Sequence, residues 1–330
     1  KTGIEHVQLG NGTNTVQGSE NVSNSIYGGT GTDTLTYSEA NGSISVNIIS
    51  GTATGDGSGT DTFTSIEGFE GSAFADTFTN DSIDGLSING LGNTTGTDKV
   101  DYTTLSTAVT VTINNSNPIT VNDGTNTDTL TNVEHIVSGS GNDTYNYTGT
   151  PSVKTLDAGA GTDTLSLSGT VDLSGVTLLN FETILVEDGQ TATINATDLS
   201  GKDIDITMLG TGSLVIVSDS SSHDFSNITV SKGTGTVTLD VNINKDISAS
   251  NINNIIDKFD VASGSTLTLS NSQFGIHSGI GTGTLKLSDT TLTGTQIKTI
   301  NDNSTNAIDL TNVTTISTAT SSEMLEIVNN

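Results

Sequence analysis

Asp33, Asp98 and Asp163 stand at equal intervals along the chain, and the segments between them follow one script. Ile44, Val46 and Ile48, alternating with small polar residues, correspond at the same offset to Val109, Val111 and Ile113, and Tyr37 corresponds to Tyr102. A second script sets an Ile-Glu or Val-Glu pair ahead of an Asp-Thr or Asn-Thr pair: Glu5 before Asn14, Glu67 before Asp76, Glu134 before Asp143. A chain that repeats itself with apolar residues at every second position is constrained to stack coils, each covering the apolar face of its neighbour. Two long repeats fill the first half, preceded by the end of an earlier one and followed by a start that fades near Phe181 and Glu182.

The aspartates sit in glycine turns. These are GGTGTDTL from Gly28, GDGSGTDTF from Gly55, SGSGNDTY from Ser138 and AGAGTDTL from Ala158. Glycine admits left-handed turns that expose carbonyl oxygens, and an aspartate beside them completes an oxygen set suited to a hard cation. The metal-free alternative is an aspartate that caps its own main chain as an Asx-turn. The repeated Glu5, Glu67 and Glu134 read either as a solvated edge or as additional carboxylate oxygens.

Composition supports the stacked-coil reading. With 31% hydrophobic and 4% aromatic residues the chain fills a thin core rather than a thick one. Asp plus Glu total 37 against nine lysines and no arginine, a net charge of −28. That balance excludes a nucleic-acid phosphate binder and makes an anionic membrane surface an unsuitable partner. No apolar run reaches membrane-spanning length, so no membrane insertion is expected. A compact chain this acidic repels itself unless cations neutralise it. Cysteine is absent, which removes disulfides and thiolate metal sites. The chain opens in mid-repeat, as expected of a piece of a longer polypeptide.

Residues 1–190 carry the aspartate turns, and residues 191–330 carry a different rhythm of short strands opened by glycine or serine. These are GTGSLVIV from Gly210, GTGTVTLDV from Gly233, SGSTLTLS from Ser263 and GTGTLKLSD from Gly281. Short helices are expected at Ser250–Phe259, Thr295–Ile300 and Thr320–Val328, the last with a capping box from Thr320 to Glu323. The fold class is therefore all-β, a parallel β-solenoid with few short helices. Coils of roughly 20 to 25 residues would give about 13 to 16 of them.

The nonapeptide turns of residues 1–190 resemble those of the repeats-in-toxin (RTX) proteins, the hemolysin-type calcium-binding family of secreted bacterial proteins. GTDTFTSIEGFEGSAFADTF, from Gly59 to Phe78, is similar to linkers in giant surface adhesins and surface-layer proteins, and LKLSDTTLTGTQIKTIND, from Leu285, less specifically so. The resemblance implies type I secretion, calcium-triggered folding outside the cell and a β-roll or β-helix. Carried over residue by residue, it implies calcium on Asp33 with Gly29 and Gly31, Asp61 with Gly57 and Gly59, Asp143 with Gly139 and Gly141, and Asp163 with Gly159 and Gly161. Asp98 and Asp128 have thinner glycine context, and Asp76, in SAFADTF, has none. The intervals between successive members of these seven are unequal, so their motifs do not run in tandem. Two to four occupied sites are expected.

No enzymatic constellation stands out. His6, His135, His223 and His277 are isolated, and no Gly-x-Ser-x-Gly elbow or phosphate loop is present. The expected function is a non-enzymatic structural protein of the bacterial cell surface, secreted and calcium-stabilised. It would associate with copies of itself into a surface layer or fibre, with cell-surface polysaccharide as a second candidate partner. The competing readings are a stalk or binding module of a large adhesin, and a carrier domain of a secreted enzyme or toxin.

Overall fold

The computed structural model describes residues 5–320, apart from 20, 56, 58, 116–117, 151, 219–222, 244, 247–251, 253–254 and 275–277. It is mostly β, with parallel strands stacked as a β-solenoid of about 13 turns and three short helices among the described residues. Two compact units divide the chain. One comprises 1–166 and 175–182, the other 167–174 and 183–330.

In the first unit the chain alternates between two sheets, laying a short strand in each. The ten-stranded sheet runs His6–Gln8, Ser25–Tyr27, Thr60–Thr64, Thr52–Thr54, Ser45–Asn47, Thr77–Thr79, Lys99–Asp101, His135–Val137, Thr155–Asp157, Thr177–Leu179. Many of these strands are three residues long with the middle residue inward. That builds an in-register apolar column through Ala53, Val46, Phe78, Val100, Ile136, Leu156 and Leu178, and pairs Ile26 with Phe63; across the triplet Ala53 is opposite Asp61. One inward residue per strand is how a chain only 31% hydrophobic buries a continuous core. The flanking Thr, Ser and Asn face outward, and β-branched threonine suits the extended backbone.

Glycine is required where turns stack. Gly31 (φ 129°) and Gly161 (φ 148°) lie over Gly12 and Gly141 of neighbouring coils, and a β-carbon on either would overlap the carbonyl beneath.

The stacking is not wholly parallel. Ser45–Asn47, Thr52–Thr54 and Thr60–Thr64 form an antiparallel triplet in the first sheet, and Thr110–Ile113, Ile119–Asn122 and Thr127–Thr131 form one in the second. In each, the chain advances past two rungs and zigzags back before continuing. The triplets occupy equivalent positions of the long sequence repeat, yet they lie in different sheets. Between Gly31–Thr36 in the second sheet and Lys99–Asp101 in the first, the chain crosses sides five times. The sequence repeat is therefore two and a half coils.

The second unit has a six-stranded parallel sheet, Val171–Asp172, Thr191–Asn195, Ser213–Val217, Val237–Val241, Lys258–Val261 and Ser278–Gly281, together with smaller sheets. All four expected short strands are present, at Ser213–Val217, Val237–Val241, Thr266–Leu269 and Thr284–Leu287. Of the expected helices, Thr295–Ile300 is found within Gly294–Asp302, capped by a reciprocal Thr293–Gln296 box. The segment Ser250–Phe259 ends instead as strand, since Lys258 and Phe259 belong to Lys258–Val261, where Phe259 pairs with Leu239 and is buried. Much of its remainder lies outside the described residues, as does Thr320–Val328 after Thr320. Ala196–Leu199 and Asn271–Phe274 are further short helices that propensity did not signal.

Candidate metal centre

All seven turn aspartates are buried. Each reaches across to the main chain of a neighbouring coil, and five of them, Asp33, Asp76, Asp98, Asp143 and Asp163, form ladders with three glutamates. Asp76 alone also caps its own turn, through the Ser72 N–H.

The first ladder joins Asn14, Asp33 and Glu67. Asp33 Oδ1 accepts the Asn14 main-chain N–H at 3.1 Å and its side-chain amide at 2.7 Å, and the Asp33 N–H donates to Glu67 Oε2 at 2.9 Å. In the second, Ile44 N–H donates to Asp76 Oδ1 (2.6 Å), Asp76 N–H to Asp98 Oδ1 (2.8 Å) and Asp98 N–H to Glu134 Oε2 (2.9 Å). The third repeats it, with Val109 N–H on Asp143 Oδ1 (2.8 Å), Asp143 N–H on Asp163 Oδ1 (2.6 Å) and Asp163 N–H on Glu182 Oε2 (2.8 Å). Each closing glutamate returns its own N–H to the carbonyl of the aspartate it caps. The glutamates thus have a defined place as the last rung of each ladder. The sequence marked Glu67 and Glu134 by their repetition ahead of the next Asp-Thr pair, not by spacing from the aspartates they cap, and the third, Glu182, lies where the repeat decays.

The second carboxylate oxygen separates the aspartates into two classes. Asp61 and Asp128 are saturated. Asp61 receives the N–H groups of Ser19 and Asn24, the Asn24 side-chain amide and the Tyr37 hydroxyl at 2.8 Å. Asp128 receives the N–H groups of Asp84, Gly85 and Leu86, with the Tyr102 hydroxyl at 2.9 Å. Both lie in the last strand of an antiparallel triplet, and the tyrosines, at equivalent positions of the two long repeats, lock the triplets in place. Asp76 also has both oxygens occupied, Oδ2 by the Ser72 N–H at 2.5 Å. Asp33, Asp98, Asp143 and Asp163 each have a buried Oδ2 with no hydrogen-bond partner. The Ser138 hydroxyl lies beside Asp143 but spends its hydrogen on the Ala158 carbonyl at 2.9 Å. Asn93 lies beside Asp98, yet its amide nitrogen donates to Glu134 Oε2 at 3.3 Å, and its own Oδ1 is buried without a donor.

An isolated ionised oxygen in a low-dielectric interior is costly. Burial, reinforced by Asp76 and Glu134, raises Asp98 to a pKa of about 7, and burial, reinforced by Asp143 and Glu182, raises Asp163 to about 6. Burial likewise raises Asp143, Asp76 and Asp128. The donor set is all oxygen and suits a hard divalent cation. Among the described residues no three His, Asp or Glu side chains converge on one point, so main-chain or amide oxygens would have to contribute.

The glycines expected to offer carbonyls are mainly packing elements. Gly29 lies over Gly10, Gly31 over Gly12, Gly159 over Gly139 and Gly161 over Gly141, while Gly139 and Gly141 press on Leu105 and Ala108. Gly59 presses on Asn21 and Val22, and Gly57 is half-buried in its turn. The Gly139 carbonyl is engaged by the Ala160 N–H at 2.9 Å.

No family model matches the chain, and comparison with curated proteins finds no match.

Proposed function

We propose that this chain is a non-enzymatic structural segment of a secreted bacterial surface protein of the repeats-in-toxin kind, a calcium-stabilised β-solenoid that self-assembles into a surface layer or extracellular fibre. The observation that carries the reading is the set of four buried aspartates, Asp33, Asp98, Asp143 and Asp163, each with one carboxylate oxygen facing no donor. Calcium would satisfy those oxygens and offset the self-repulsion of a chain with net charge −28. Asp61, Asp128 and Asp76 are better accounted for as coil-to-coil locks. Sheets whose outward columns are Thr, Ser and Asn offer a regular polar surface suited to lateral packing between copies.

The test is circular dichroism and small-angle scattering in chelator and then in millimolar calcium, followed by electron microscopy of the calcium-loaded protein. The expected result is a chain that is less compact and less stable in chelator, gains compact β structure with calcium and then forms ordered sheets or filaments. Equal folding in chelator removes calcium as the folding ligand. Isolated particles that bind polysaccharide would favour the adhesin reading over assembly.

A further inference from the structure

The corner that closes each ladder carries more than its glutamate. Two residues before Glu67, Glu134 and Glu182 stand Ser65 (φ 53°), Asn132 (φ 52°) and Asn180 (φ 58°), each in the left-handed region. Non-glycine residues are uncommon there, and three in one position of a repeat mark a corner whose carbonyl direction is tightly constrained. The residue opposite is held identically in all three: Gly28, Gly90 and Ala158 donate their N–H groups to Thr64, Thr131 and Leu179, each at 3.0 Å.

At Gly90 a β-carbon would overlap both Asp98 Oδ2 and the Asn132 carbonyl. At Gly28 it would overlap the Ser65 carbonyl and lie 3.0 Å from Asp33 Oδ2. The unpartnered aspartate oxygen and the left-handed carbonyl therefore approach each other across a glycine in both ladders. Two electron-rich oxygens brought together without a donor repel, and a cation between them converts the repulsion into ligation. The second corner adds the buried, unpartnered Oδ1 of Asn93, whose amide nitrogen already touches Glu134.

We infer that the cation sites of the first two repeats lie at these corners. One takes a divalent calcium-like ion on Asp33 Oδ2, the Ser65 carbonyl and Glu67, and the other takes it on Asp98 Oδ2, the Asn132 carbonyl, Glu134 and Asn93 Oδ1, with water completing each shell. The glutamates are ligands as well as hydrogen-bond acceptors, because Oε2 holds the aspartate N–H and leaves Oε1 for the ion. In the third ladder the methyl group of Ala158 stands where Gly28 and Gly90 leave room, so that corner does not bind in the same way. This inference rests on the calcium reading above and relocates its ligands from the glycine turns to the Glu corner of the next coil.

Calcium calorimetry on the whole chain at neutral pH separates the two ideas. Glutamine keeps the oxygen that accepts the aspartate N–H and replaces the proposed ligand oxygen, with its share of the charge, by an amide NH2. The E67Q/E134Q protein should therefore keep the wild-type circular dichroism in saturating calcium while two sites weaken by about tenfold or more. D33N/D98N should lose the same two sites. A158G should gain corner binding in the third ladder, an outcome that does not depend on a damaged variant folding. If E67Q/E134Q binds as wild type while D33N/D98N loses sites, the corner is wrong and the calcium reading stands. If the wild-type chain takes up no calcium at millimolar concentration, the calcium reading itself falls.

Discussion

Aspartates in the same Gly-Thr-Asp-Thr context do different work, Asp33 with an unpartnered Oδ2 and Asp61 saturated, and the difference is fixed by what reaches the second oxygen. Asp128 Oδ2 is served by the Tyr102 hydroxyl, while Asp61 Oδ2 is served by both the Tyr37 hydroxyl and the Ser19 N–H. Tyr102→Phe should thus cost about 1.5–3 kcal/mol in denaturant unfolding, as expected when a buried carboxylate loses a donor, and Tyr37→Phe measurably less. Equal costs would show that the hydroxyls contribute packing alone. Asp98 and Asp163 make a prediction in pH. Burial raises both from the ordinary 3.8, to about 7 and about 6, so between those values the folded chain holds protons that the unfolded chain has released. In chelator, stability should therefore be greatest in the acid part of that window and fall as pH rises through it to about 7. Saturating calcium should flatten or invert the slope, because the ion replaces the proton. Thermal melts from pH 4.5 to 7.5 in both conditions test this. The turn aspartates themselves were legible in the sequence. Their division into saturated and unsaturated was not, because the deciding donors Tyr37 and Tyr102 come from coil contacts that no local motif records, and only Ser72, four residues before Asp76, is local.

Among the elements, short strands with alternating inward residues were legible, and neither their three-residue length in the first unit nor the antiparallel triplets were. Thr52–Thr54 has the same small, alternating composition as the parallel strands of its sheet, so period alone cannot report strand direction. The one local hint lies in the second triplet, where Asp123-Gly124, with Gly124 at φ 90°, turns Ile119–Asn122 back onto Thr127–Thr131. The four glycine- or serine-opened strands of the second unit were readable because each combines a turn signal with β-branched residues. Phe259 reads as helical because its flanking Ile-Asn run mimics helical spacing, and the register with Leu239 overrides it. The strands hang on their inward residues. Phe78 is fully buried between Val46 and Val100, and Phe78→Ala should cost about 3–5 kcal/mol. A loss below about 1 kcal/mol in chemical unfolding would mean that neighbouring coils collapse onto the gap.

At the scale of the molecule, charge and repetition set the behaviour. In chelator a chain of net charge −28 should be stabilised by simple salt. Raising sodium chloride from roughly 20 to 200 mM shortens the screening length from about 20 to about 7 Å and should raise the melting temperature modestly. Millimolar calcium should raise it further at the same ionic strength, and calorimetric melts compare the two. An equal response to both would mean general screening stabilises the fold, with no site-bound ion. The solenoid class could be read from self-similarity, but the phase of its coils could not, since the long repeat divides into coils only once the two triplets are counted.

That phase has a geometric consequence. Because the repeat ends half a revolution out of step, successive repeats are related by an approximate twofold screw. A residue written once into the repeat falls alternately in the two sheets, as the strands of the buried Val46 and Val111 do. Duplicating the unit an odd number of times would turn any adhesive patch to the other side, and an even number would restore it. A segment that grows by such duplications presents the same chemistry to neighbours on both sides, the symmetry a two-dimensional lattice needs and a one-sided binder does not.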